Sequence, residues 1–243
     1  MGSSTVAVIP ARYASTRFPG KPLTLIGGRP MIQHVWTRCQ EAGCFTEVLV
    51  ATDDARIADA VQGFGGRAVM TSPACPTGTD RVAEVARGRP DVDVWVNVQG
   101  DEPLVDPASL RTLAGLFEDA DVQMATLVRP LEAADAVSPN VVKAVLALDG
   151  DALYFSRATL PFVREAADVG SVRRWAHLGL YGYRRDTLLR LAALTETPLE
   201  RAEKLEQLRA LEHGIRIRCG QVQGHTVAVD VPEDVAKVEV LLR

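Results

Sequence analysis

The chain has 243 residues, with 27 Lys and Arg against 31 Asp and Glu, a formal net charge of −4. That balance excludes a general nucleic-acid surface, which depends on a basic excess, and 47% hydrophobic with 24% charged residues excludes a disordered chain. No apolar run reaches the roughly 18–20 residues that cross a bilayer, and Met1–Ser4 has neither region of a secretion signal, so a cytoplasmic protein with no nucleic-acid or membrane partner is expected.

In chain order, Thr5–Pro10 is a compact apolar strand, and Pro30–Ala42 is a helix with Met31, Val35 and Cys39 on one face. Glu47–Ala51 is a second strand. Asp53 or Asp54 caps a helix carrying Ile57, Ala60, Val61 and Phe64, which Gly65-Gly66 ends. Ala68–Thr71 (strand), Thr79–Arg87 (helix), Val92–Val98 (strand), Pro107–Phe117 (helix) and Met124–Val128 (strand) continue the alternation. Several of these strands are apolar throughout, as suits a parallel sheet covered on both faces. The expected fold is α/β: a Rossmann-like, doubly wound, mostly parallel sheet in one domain spanning 1–243.

The pattern changes near residue 130. Val141–Leu148 and Ala152–Ser156 flank Asp149-Gly150, a dipeptide suited to a hairpin turn, and Leu178–Tyr183 is another strand. This reads as a small antiparallel insertion, about residues 130–185. Pro198–His213 reads as one helix, with Leu199, Ala202, Leu205, Leu208 and Leu211 on its apolar face and Gly214 at its end. Ile215–Cys219 and Val227–Val229 are short strands, and a last helix starts near Pro232 with Asp230 close to its cap. The cysteines (Cys39, Cys44, Cys75, Cys219) form no CxxC pair and read as reduced thiols.

The charge is unevenly spread. Residues 1–40 hold five cations (Arg12, Arg17, Lys21, Arg29, Arg38) and no acid. Arg12, Arg17 and Lys21 share one loop after the first strand, the place where open α/β sheets bind ligands. Arg forks and a Lys point charge suit phosphate oxygens. The loop lacks a Walker A pattern, and Gly63–Ala68 follows a helix rather than a strand, the reverse of a dinucleotide fingerprint. Asp101, after the strand Val92–Val98, faces the same cleft; it suits Mg²⁺, which takes one or two carboxylates plus substrate phosphates, or caps the next turn. Asp230 ends another apolar run, either as a helix N-cap or as a second ligand. The histidines His34, His177, His213 and His225 have no zinc spacing, and no GxSxG elbow occurs.

The segments Val8–Leu23, Ala51–Asp54, Thr77–Arg81, Asn97–Pro103, Pro139–Lys143, Tyr154–Arg157, His177–Tyr181, Leu205–Arg209 and Val229–Asp234 together resemble the 3-deoxy-manno-octulosonate cytidylyltransferase (CMP-Kdo synthetase) family along nearly the whole chain. The resemblance implies a Mg²⁺-dependent, cytoplasmic, homodimeric nucleotidyltransferase that moves CMP from CTP to the anomeric hydroxyl of 3-deoxy-D-manno-octulosonate (Kdo), releases pyrophosphate and serves lipopolysaccharide synthesis. It implies that Arg12, Arg17, Lys21, Thr77, Gly78, Arg81 and Gln99 bind CTP, with Lys21, Asp101 and Asp230 catalytic and the two aspartates holding the metal. Arg157, His177, Glu206 and Gln207 would bind the sugar acid, and residues 130–185 would serve dimerisation and sugar binding. The sequence departs from the family pattern at Ala228 and Val231 beside Asp230, and at Ala176 before His177. A cytidylyltransferase for an 8-amino Kdo analogue, a neuraminate-like acid or a phosphonate is the alternative.

Overall fold

A computed structural model of the protein describes residues 4–14, 18–168, 170–223 and 227–242. The chain runs β1 (Thr5–Ala11), β2 (Leu25–Ile26), β3 (Arg29–Pro30), α1 (Met31–Ala42), β4 (Glu47–Thr52), α2 (Ala55–Gly63), β5 (Arg67–Met70), α3 (Gly78–Arg87), β6 (Val94–Asn97), α4 (Pro107–Gly115) and β7 (Met124–Pro130). It continues through β8 (Lys143–Leu146), β9 (Ala152–Ser156), β10 (Trp175–Arg184), α5 (Arg185–Ala192), α6 (Pro198–Glu203), α7 (Gln207–Glu212), β11 (Arg218–Gln221) and α8 (Asp234–Leu241). Among the described residues, β1 and β4–β11 form a nine-stranded sheet whose main path is β11-β7-β10-β6-β1-β4-β5. β1 pairs in parallel with β4 and β6, β4 with β5, and β7 with β11. β10 runs antiparallel between β6 and β7, and β8 and β9 form the expected antiparallel hairpin beside it.

The apolar strands are buried because helices cover both faces. Val6 and Val8 of β1 face one core with Val82 and Ala86 of α3, Leu188 and Leu191 of α5 and Leu208 of α7. Ala7 and Ile9 face the other, with Ile32 and Val35 of α1, Ile57 and Val61 of α2, and Leu110 and Leu113 of α4. The doubly wound, mostly parallel sheet expected from the sequence is therefore the observed one. No helix among the described residues is long and apolar enough to cross a membrane.

Two local expectations are corrected. Pro198–His213 is two helices, broken at Lys204, which has a left-handed φ of 53°. Leu199, placed on the apolar face by its spacing, is 41% exposed, whereas Glu200 is buried in a two-pronged pair with Arg209 at 2.6 and 2.8 Å. Val227–Val229 is not a strand: the Val229 N–H donates to the Asp101 carbonyl at 2.9 Å, and its own carbonyl accepts from the Lys21 ammonium at 2.8 Å.

The break at Lys204 gives a test by chemical denaturation. A left-handed residue costs an L-amino acid about 1–2 kcal/mol and glycine almost nothing. Lys204→Gly is expected to hold or raise stability, and Lys204→Val to lower it by about 1 kcal/mol through β-branching. Equal stability of the two variants would contradict the left-handed break.

Candidate active site

The carboxyl ends of β1 and β6, the start of α3 and the approach to α8 enclose a cavity of about 290 Å³. Its lining includes Pro10, Ala11, Arg12, Lys21, Thr77, Gly78, Arg81, Gln99, Gly100, Asp101 and Asp230. The turn after β6 lies hard against β1, since a Cβ on Gly100 would sit 2.8 Å from the Pro10 carbonyl oxygen. Only glycine fits there, and its absence of a side chain brings Asp101 to the cavity wall.

Lys21 crosses the site. Its ammonium donates to Asp101 Oδ2 at 2.7 Å and to the Val229 carbonyl. Asp230, the next residue, is exposed and lines the same cavity. Its carboxylate does not cap α8, whose N-cap residue is Glu233, with no side-chain cap hydrogen bond; Asp234 takes the backbone N–H groups of Asp230 and Val231 at 3.1 and 3.2 Å. Two carboxylates from residues 101 and 230 thus face one cavity beside exposed Arg12. This donor set fits a Mg²⁺ that takes its remaining ligands from phosphates and water. Behind Asp101, Glu102 is buried without a partner for Oε2, and burial, with the Asp101 charge, pushes its carboxyl up to about 8.

The start of α3 opens on the same cavity. Thr77 and Asp80 form a capping box, leaving Gly78 at the cavity. Arg81 is buried, held by Thr71 and by Asp53 at 3.2 Å. Cys75 also lines the cavity; its thiol donates to Glu84 at 3.0 Å, and burial raises it to about 11.

A second cavity, of about 140 Å³, adjoins the first through Gly78 and Gln99. Glu206 and Gln207 line it with Thr79, Asn97, Met124, Tyr181, Tyr183 and Leu191. Burial raises the Glu206 carboxyl, while hydrogen bonds from Thr79 and Thr77 and the charge of Arg209 oppose the rise.

The structure therefore gathers Arg12, Lys21, Thr77, Gly78, Arg81, Gln99, Asp101 and Asp230 at the large cavity and Glu206 and Gln207 at the small one. Arg157 lines neither: it donates to the carbonyls of Glu203, Pro139 and Lys204. His177 sits behind the small cavity, against the rings of Phe155 and Tyr181, with Nε2 2.9 Å from Thr126 Oγ1. Arg17 and His225 lie outside the described residues. Asn97 and Tyr181 were not singled out by the sequence reading. An Asn ending the otherwise apolar strand Val94-Trp95-Val96 was the available signal for the first.

A cytidylyltransferase family model matches residues 6–217. A 3-deoxy-manno-octulosonate cytidylyltransferase of Myxococcus xanthus is 74% identical, covering 98% of this chain and 96% of its own. The chain belongs to the 3-deoxy-manno-octulosonate cytidylyltransferase family. A relative of the same name from Geobacter metallireducens is 54% identical, covering 96% of this chain and 95% of its own. The solved structure of CMP:2-keto-3-deoxy-manno-octonic acid synthetase complexed with CTP is 45% identical. It superposes with a TM-score of 0.93 over 99% of this chain and 98% of that one. A putative glucose-1-phosphate thymidylyltransferase from Bacillus anthracis, 16% identical with a TM-score of 0.68 and covering 99% of this chain and 96% of that one, shares the fold.

In this cytidylyltransferase, burial holds the His177 imidazole neutral, pushed down to about 3 from 6.5. The unfolded chain takes up that proton first as pH falls, so the contribution is complete above pH 6.5 and is lost between there and about 3. Unfolding free energy at pH 4.5 should therefore be lower than at pH 7 by about 2 kcal/mol through this group. Urea melts should show His177→Gln losing that much less on the same acidification. An identical acid loss in both proteins would contradict the buried neutral ring.

Proposed function

We propose that this cytidylyltransferase transfers CMP from CTP to the anomeric hydroxyl of Kdo, releasing pyrophosphate, and that it acts in the cytoplasm to supply CMP-Kdo for lipopolysaccharide synthesis. The observation that carries the reading is the convergence, in one cavity, of Lys21 and Arg12 with Asp101 and Asp230, in a chain 74% identical to a curated 3-deoxy-manno-octulosonate cytidylyltransferase. A triphosphate needs the cations, and a divalent ion needs the carboxylates.

Arg12, Lys21 and Arg17 of the same loop hold the triphosphate and neutralise the pyrophosphate as it leaves. Thr77, Gly78 and Arg81 lie beside the nucleoside, and Gln99 lies at the boundary of the two cavities. Glu206 and Gln207 hold the sugar acid, with His177 and Arg157 backing that region. Asp101 and Asp230 would hold Mg²⁺, which when bound lowers the pKa of a nearby hydroxyl and offsets phosphate charge. The protein's own share is alignment of the hydroxyl with the α-phosphorus and fixed charge around it. Once the hydroxyl oxygen bonds to phosphorus, the bond to the β-phosphate oxygen breaks and the hydroxyl proton passes to solvent.

Residues 130–185 are proposed as the homodimer surface. Val137 and Phe162, both more than four-fifths exposed, support this, as does exposed Leu153 on β9. Phe162→Asp combined with Leu153→Asp should shift the protein from dimer to monomer in sedimentation velocity, and a species of unchanged mass would remove this surface from the assembly.

The reaction is tested by pyrophosphate release from CTP and Kdo with Mg²⁺. Asp101→Asn should lower turnover about a hundredfold or more while melting like the parent protein. Lys21→Ala should mainly raise the CTP concentration required. An Asp101→Asn enzyme with more than about a tenth of parental turnover, or a CTP dependence unmoved by Lys21→Ala, would overturn those two assignments.

A further inference from the structure

The small cavity carries an unusual pair of groups. Asn97 is 2% exposed and its Oδ1 accepts no hydrogen bond, while Gln207 is 5% exposed and its Nε2 donates none. Both residues line the same space. Asn97 is the last residue of β6 and lies directly across from Tyr181 of β10, so both side chains project from one face of the sheet. Tyr183, two residues on, stacks against Tyr181 at 6.1 Å. Asn97 and the tyrosines thus form the floor, and the α6–α7 break brings Gln207 down from above.

Buried polar atoms are normally paired, and an unpaired one in a native structure calls for a ligand or another explanation. Here one open acceptor and one open donor face a single pocket that also holds the half-buried carboxyl of Glu206. An apolar group entering the pocket would leave both amides unpaired. A carboxylate could accept from Gln207 but has no hydrogen for Asn97, and it would face Glu206. A neutral hydroxyl donates and accepts, so it matches the pair.

We infer that Asn97 is a specificity-determining residue of this enzyme, whose buried carboxamide takes a hydroxyl of the sugar acid. The inference rests on the proposed cytidylyl transfer and refines it: the small pocket reads a hydroxylated part of the acceptor, while the acceptor's carboxylate stays on the side of the large, cationic cavity. Sites built to pair a substrate hydroxyl reject analogues that lack it, because the protein's own polar atom is then stranded.

The test uses full-length protein with CTP and either Kdo or its monodeoxy analogues at positions 4, 5, 7 and 8. For the parent enzyme, one analogue should lose about tenfold to a hundredfold in kcat/KM. Asn97→Leu, similar in shape, should lose a comparable factor on Kdo through the sugar-acid KM, leave the CTP KM within about twofold, and no longer penalise that one analogue. Should Asn97→Leu fail to fold, the analogue series on the parent enzyme still decides, since equal use of every analogue overturns the inference. It is also overturned if Asn97→Leu raises the CTP and sugar-acid KM together, the outcome of a residue that only spaces Gly78. A parent enzyme that uses Kdo with no such discrimination sinks this inference and leaves the reaction standing. A parent enzyme that releases no pyrophosphate with Kdo sinks both.

Discussion

One ammonium group joins the parts of the chain that make the site. Lys21 reaches Asp101, 80 residues on, and the carbonyl of Val229, 208 residues on. Both contacts are short, and both ends of the ion pair are mostly shielded from water. Charge-assisted hydrogen bonds in such surroundings are roughly twice as strong as neutral ones. Without a cation there, Asp101 would share the cavity with Asp230 as a like charge. The burial of Glu102 already raises its carboxyl, and the charge of Asp101 adds to that rise. The loop after β1, the turn after β6 and the segment before α8 therefore depend on a cation at this point.

The sheet explains why the meeting happens here. β1 and β6 are parallel neighbours, so their carboxyl ends emerge side by side. Arg12 follows β1 directly, and β6 ends on Asn97 with Gln99 and Asp101 just beyond it. Gly100 closes the remaining distance through its contact with Pro10. Arg12 and Lys21, two of the cations of the acid-free first 40 residues, line this cavity with the acids at 101 and 230. An average charge of −4 conceals that division.

Much of this was legible because it is local. Apolar runs marked β1, β4 and β6, and the loop cations and Asp101 stood next to strand ends. Asp54 caps α2 through the Arg56 N–H, as one of two adjacent acids was expected to. Long-range pairings were less visible. The run Leu178–Tyr183 suggests a strand, but nothing in it says that the strand inserts antiparallel between β6 and β7. That insertion puts Tyr181 opposite Asn97 and creates the floor of the small pocket. Val227–Val229 looked like a strand because it is apolar, yet its polar backbone is satisfied by Asp101 and Lys21 instead of a ladder.

The broken helix shows the same limit more sharply. Leucine spacing from Leu199 to Leu211 favours one continuous helix, and no proline or glycine interrupts it. The interruption comes from the end of β9, more than 40 residues earlier. The Ser156 hydroxyl and the Arg157 N–H bind the Glu203 carboxylate at 2.5 and 3.0 Å. The Arg157 guanidinium then takes the carbonyls of Glu203 and Lys204, groups that a helix C-terminus leaves open. With those carbonyls satisfied from outside, the chain turns through left-handed Lys204 and begins α7 at Gln207, on the wall of the small pocket. Arg157 thus bears on that pocket as a positioning residue: it fixes where α6 stops, and that stop aims Glu206 and Gln207. A side chain acting through two carbonyls of a distant segment leaves no periodic trace in the sequence, which is why the helix was legible and its break was not.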